Sequence, residues 1–151
     1  MRNVNEEMKQ ARGMRNNNPL NIIKNKNINW KGQLCNGTDP TFLQFDTMAN
    51  GLRATLMLLR TYYNKHACTT LRMIISRWAP ETENQVSAYI NTVCKLTGWN
   101  PDTHLPPMKA ETKVVWFGIV LAMASVECGL NNEGRQSLHP DLEKAWDMLY
   151  N

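Results

Sequence analysis

No apolar stretch in this chain is long enough to cross a bilayer. The longest, residues 114–126, is bracketed by Lys113 and Glu127. A secretory leader is also missing from the expected picture, because MRNVNEEMKQARG carries charge but no apolar segment. The four cysteines, at 35, 68, 94 and 128, form no CxxC pair and have no His cluster beside them. That spacing argues against a zinc site and for reduced thiols in a chain with this much core. No Gly-rich loop suited to phosphate is present, and Gly51 stands alone. The three histidines show no HxxxH or HxH spacing, so a metal site or a nucleophile pair would need tertiary coincidence. No metal or cofactor is expected. Aromatic residues fall at helical core spacing and form no stacking row, so no nucleic-acid partner is expected either.

What is present describes one soluble globular domain. Hydrophobic residues make up 42% and charged residues 20% of 151 positions, enough apolar surface for a real core. The net charge of +4 is uneven: residues 1–60 hold nine Lys/Arg against four Asp/Glu, and residues 61–151 hold eight against nine. A basic first half suits a polyanion such as nucleic acid, an anionic membrane or an anionic cell-wall polymer, or is simply a solvated face.

Residues 1–12 read as a polar lead-in. Residues 13–46 are rich in Asn and Gly with isolated apolar residues, which predicts an irregular lobe of short strands with a hairpin around Asn36–Gly37. From 47 onward the period becomes helical. Leu52, Leu56, Leu59 and Tyr63 define a stripe over roughly 48–65, and Leu71, Ile74, Ile75 and Trp78 continue it to the stop before Pro80. Thr82–Gln85 is a capping-box pattern opening a helix that ends near Gly98. WNPDTHLPP, 99–107, is a loop by its three prolines. A helix apolar on nearly all sides follows over about 110–128, and the last helix is expected to begin at His139–Pro140.

LAMASVECG, 121–129, ends the central helix on one carboxylate. At a helix C-terminus, beside apolar core, both the macrodipole and desolvation raise the pKa of Glu127 toward what a general acid needs. The plainer alternatives are a solvated helix end or a pairing with a basic residue of the first half. Glu83, in the first turn of a helix, has the opposite bias and suits a base or a cap; Glu81 and Asp46 also sit at element boundaries. Cys128, beside Glu127, is more readily a structural thiol than a nucleophile.

Four stretches go further together. They are RGMRNNNPLNI (12–22), WKG (30–32), FLQFDTMANGLRA (42–54) and ISRWAPETENQVSAYI (75–90). They resemble small phage and prophage proteins, labelled virion structural or lysis proteins, that carry an RGIRNNNPGNI-like opening and a later RWAP..EN..Y segment. The resemblance covers about residues 12–98. This chain departs from it at Leu20, where Gly is usual, and at Ile23, where a basic residue often stands.

The same block is similar to the downstream part of bacterial glucosaminidases of the lysozyme superfamily, in which a catalytic E-S-G ends a core helix. Here no such motif precedes Asn16–Asn18; only Glu6 and Glu7 lie there. The matching piece, ASVECGL (124–130), lies at the far end. The residues predict a mainly α domain with a small irregular β subdomain (α+β), and the resemblance implies that it is lysozyme-like over 13–151 in circularly permuted order, with an irregular β lobe (13–46) and a helical lobe (47–151). It implies a peptidoglycan glycosidase or lytic transglycosylase with Glu127 as acid and Glu83 as candidate second acid. Asn16, Asn17, Asn18, Asn21, Trp30, Trp78 and Tyr89 would bind the glycan. The expected partners are peptidoglycan strands and other virion proteins. The expected route to the wall is release from the host cytoplasm or delivery in a particle. A non-catalytic virion or wall-binding component, and a peptidoglycan peptidase, are the competing readings.

Overall fold

The computed structural model describes residues 10–79 and 81–151. Most of the expected polar lead-in, with Glu6 and Glu7, and the helix-stopping Pro80 lie outside the described residues. Among the described residues six α-helices follow one another: α1 (Arg12–Arg15), α2 (Met48–His66), α3 (Leu71–Trp78), α4 (Glu83–Thr97), α5 (Lys113–Cys128) and α6 (Asn132–Tyr150). No helix is long and apolar enough to cross a membrane among the described residues.

Side-chain caps set most of the starts. Thr47 accepts from the Asn50 amide at 3.1 Å and Thr70 from the Met73 amide at 3.2 Å. Thr82 and Gln85 form the expected reciprocal box, and Gly98, at φ 78°, ends α4. The hydrophobic helix α5 runs through the core: Trp116, Ile119, Val120, Met123 and Ala124 are sealed from solvent. It packs between α4 and α6, while α2 lies along α6. A short 3-10 turn, Ala110–Thr112, leads into it.

The α+β lysozyme-like class is overturned. About 60% of the described residues are helical against 3% strand, with no sheet among them, so the protein is mainly α. The β lobe reduces to two isolated bridges, Ile23 with Phe42 and Gln33 with Phe45. The physical reason lies in residues 41–46, a short extended piece that changes partners too soon to build a ladder. Leu43 donates to Ile22 O and Lys24 to Thr41 O on one side; Leu34 donates to Gln44 O and Asp46 to Gly32 O on the other. Asn and Asp side chains then take over backbone groups that a longer sheet would satisfy.

The start of the last helix is also corrected. α6 begins at Asn132, and Pro140 lies inside it. The Asn131 side chain accepts from the Gly134 amide at 2.8 Å, which starts the helix early. Buried Leu138 and Leu142, on either side of the proline, hold the helix through the backbone bond that Pro140 cannot make.

Candidate active site

The segment that follows α1 has little regular structure and is held by amides. Asp39 is its anchor. Its carboxylate accepts Arg12 Nε and a terminal guanidinium nitrogen, each at 2.6 Å, Asn16 Nδ2 at 2.9 Å, and the amides of Thr41 and Phe42 at 2.9 and 2.8 Å. The Arg12 guanidinium, followed by these amide donors, holds Asp39 far below the usual carboxylate range despite its burial. Gln44 closes the knot by donating to Asn16 Oδ1 at 3.1 Å and accepting from the Asp39 amide at 3.1 Å.

The four asparagines expected to bind glycan have different surroundings. Asn16 is committed to Asp39 and Gln44. Asn18, fully buried, donates to Ile22 O and Leu43 O and accepts from the Ile22 amide. Asn17 donates to Phe45 O at 3.0 Å. Asn21 alone turns to the catalytic candidate: its Nδ2 lies 3.0 Å from Glu127 Oε1. Asn17 and Asn21 both adopt left-handed backbone, at φ 52° and 54°, which asparagine tolerates better than most residues.

Two glycines allow this approach. A Cβ on Gly13 would stand 2.7 Å from Cys128 Sγ, 2.8 Å from Asn18 O and 2.9 Å from Asn21 Oδ1. The α1 turn, the Asn loop and the end of α5 thus meet at a point with no room for a side chain. At Gly51, on α2, a Cβ would come 1.7 Å from Asn17 O, so helix and loop backbones are in direct contact.

Glu127 is half-buried where α5 ends, ahead of Gly129 at φ 64°. Besides Asn21, the Tyr89 hydroxyl donates to its Oε2 at 3.0 Å. Burial raises the pKa of Glu127, the two donors oppose the rise, and the negative charge of Glu81 adds to it. Tyr89, on α4, is itself pushed up by burial and by the neighbouring Glu127, so it stays a proton donor in this pair.

Asn21 Oδ1 is buried with no hydrogen-bond partner among the described residues. In this orientation the amide donates to an ionised Glu127. Turned over, it would accept from a protonated one, so a single pocket accommodates both charge states. Cys128 donates to Pro19 O at 3.2 Å. Burial and the adjacent Glu127 push its thiol up to about 11, which removes it as a thiolate nucleophile near neutral pH.

One cleft opens on this carboxyl, and a second holds its partner Asn21. One, of about 350 Å³, is lined by Glu127, Tyr89, Glu81, Gln85, Val86 and Ala79. The other, of about 280 Å³, holds Trp30, Trp78, Tyr62, Ile22 and Arg77, with Asn21 at its edge. The two are neighbours through the Asn21–Glu127 hydrogen bond and through Trp78 and Ala79, consecutive residues that line one each. Trp30 and Trp78 therefore share a wall, although the Trp78 indole N–H is used on Leu20 O at 3.1 Å.

Glu83 does not line the Glu127 cleft; it sits exposed in the first turn of α4. Glu81, two residues earlier, does line it. Asp39 and Arg12 were not singled out from the sequence. Asp39–Pro40 reads as an ordinary turn, and nothing local signals a partner 27 residues away. No group of three or more His, Cys, Asp or Glu side chains is arranged to hold a metal among the described residues.

No family model matches the chain. It is 39% identical over 123 residues to Protein P5 of Pseudoalteromonas phage PM2, an alignment spanning 80% of this chain and 73% of that protein. The chain belongs to the family of this phage protein.

Proposed function

We propose that this phage-family protein cleaves the glycan backbone of peptidoglycan, with Glu127 as the general acid that protonates the glycosidic oxygen. The observation that carries the reading is the pinned, half-buried carboxyl at the end of α5, opening on a cleft with an aromatic cleft beside it. Burial favours the protonated form, and two fixed donors orient the group. Protonation of the leaving oxygen lets the bond between the sugars break. In a single-acid route the 6-hydroxyl of the muramoyl ring attacks its own anomeric carbon and returns its proton to Glu127, leaving a 1,6-anhydro end.

A hydrolytic route needs a second carboxylate, and Glu81 is the acid that shares the cleft. The wall glycan is then the partner, reached after release from the host or as part of a particle. A wall-binding component without chemistry would use the same clefts but would not need the acid.

The test is digestion of purified peptidoglycan by the wild type and by Glu127→Gln, with released fragments identified by mass spectrometry. Anhydro-muropeptides from the wild type and none from the variant are expected for the single-acid route; new reducing ends would assign a hydrolase. Equal release by both proteins would remove Glu127 from the chemistry. Binding to the wall without release in either would favour the non-catalytic component.

A further inference from the structure

We propose that the aromatic cleft beside Glu127 is a subsite for one anionic sugar ring, an N-acetylmuramoyl unit whose carboxylate-bearing arm pairs with Arg77. This rests on the glycan reading above and deepens it. The cleft volume, about 280 Å³, lies just under the usual range for ligand pockets and suits a single ring rather than a long chain.

Its walls are flat and apolar. Trp30 and Trp78 are half-buried, while Ile23 and Ile28 are 63% and 38% exposed at the rim. Large apolar side chains left in solvent around one concave site indicate a surface that something covers. Sugar rings present C–H faces that lie on such aromatic surfaces, while their amides and hydroxyls remain free to meet Asn21 and Asn25 at the edge.

Charge selects among possible rings. No acidic residue lines this cleft. The ion pairs among the described residues use Arg12, Arg72 and Lys113. Arg77 forms none of them, and its guanidinium lies over the Tyr62 ring, 5.1 Å from the centroid. Tyr62 is in turn edge-on to Trp78 at 5.8 Å. The cation is thus placed against the aromatic wall with its donors unclaimed by a carboxylate among the described residues, the arrangement that takes a bidentate carboxylate ligand. Among the described residues Arg77 is the one cation that lines this cleft; Lys24 and Lys26, beside Asn25 in the chain, line a different one. A polyphosphate chain would meet an aromatic and basic cleft here too. Its next charges would fall against Glu127 and Glu81 in the adjoining cleft, which disfavours it.

The experiment compares two soluble disaccharides of equal length. N-acetylglucosaminyl-N-acetylmuramic acid carries the lactyl carboxylate; chitobiose lacks it. Binding is followed in the indole N–H signals of the full chain by NMR, in the Glu127→Gln protein so that no turnover intervenes. The muramoyl disaccharide should bind about tenfold more tightly than chitobiose, the ratio expected for one charge-assisted contact. Adding Arg77→Gln should bring that ratio to about one and leave chitobiose binding as it was. Trp30→Ala should weaken both sugars.

Equal affinities in the starting protein, a preference that survives Arg77→Gln, or tighter binding of a thymidine oligonucleotide would each overturn the subsite. The readout needs no cleavage, so the two readings fail separately. A muramoyl preference without wall digestion leaves the subsite standing and removes the enzyme. Digestion without the preference does the reverse.

Discussion

The segment from Arg12 to Asn21 serves two carboxylates that it treats in opposite ways. At one end it surrounds Asp39 with two guanidinium bonds and the Asn16 amide, to which the Thr41 and Phe42 backbone add two more donors. At the other it offers Glu127 the single amide of Asn21, which Tyr89 supplements from α4. Both carboxyls are withdrawn from water. Asp39 has donors enough to outweigh that withdrawal and is held ionised; Glu127 does not, and its pKa rises. The Arg12 guanidinium with its supporting amides at Asp39, and burial with only two neutral donors at Glu127, therefore decide which carboxyl anchors a loop and which is free to give up a proton.

The sharpest way to break this contrast is Glu127→Gln. Wall-glycan cleavage should fall by roughly 10²–10⁴, the usual share of general acid catalysis, measured as fragment release from peptidoglycan. The same variant should be at least as stable as the wild type near neutral pH. A carboxyl whose folded pKa is raised stabilises the fold only below its unfolded pKa and loses that contribution as pH rises through the folded value. A glutamine can also donate to the unpartnered Asn21 Oδ1 once that amide turns over. Thermal melts at two pH values check this: the variant's advantage should appear near pH 8 and vanish near pH 4.

Gly51→Ala attacks the contact that keeps the loop on the helices. With Asn17 O only 1.7 Å from the new Cβ, backbone must move, and a loss of about 3 kcal/mol or more in urea unfolding is expected.

Asp39→Asn loosens the anchor itself. Because the folded pKa of Asp39 is depressed, its contribution is present above the unfolded pKa and disappears as pH falls toward the folded value. The melting-temperature gap between wild type and variant should therefore be widest near neutral pH and close on acidification. A gap independent of pH would mean that the charge is not what holds the knot.

The smallest effect is expected at Asn21→Ala. Without its donor the Glu127 pKa should rise further, moving the alkaline limb of the rate profile to higher pH. The loss of orientation should lower kcat by about tenfold. An unchanged limb would show that Tyr89 alone sets the acid.

The two regions also differed in how far they could be read from residues. The helices were legible wherever a cap and a period agreed. Thr47, Thr70 and the Thr82–Gln85 box mark starts that the apolar stripes confirm, and Gly98 and Gly129 mark ends. α6 was misplaced because Pro140 is a strong N1 signal, whereas the Asn131 cap is one side chain among several asparagines nearby.

The loop resisted for a different reason. Isolated apolar residues between 20 and 45 suggest alternating strands, but the bonds that decide the path come from side chains reaching across the loop. Asn18, Asn16 and Gln44 look alike in the sequence, and only their partners distinguish them from Asn21. The position of Glu127 at the end of an apolar helix was visible. That its companions would be Asn21 and Tyr89, from segments 106 and 38 residues away, could be assembled only by the fold.

The most direct test of the contrast is a carboxyl-carbon NMR titration of the folded protein from pH 2.5 to pH 8, following Glu127 and Asp39 in one sample. The account predicts a Glu127 midpoint above that of an ordinary glutamate, with Asp39 still ionised at the acid end. A Glu127 midpoint at or below the ordinary value would contradict it, because the site would then hold a carboxylate and have no proton to give.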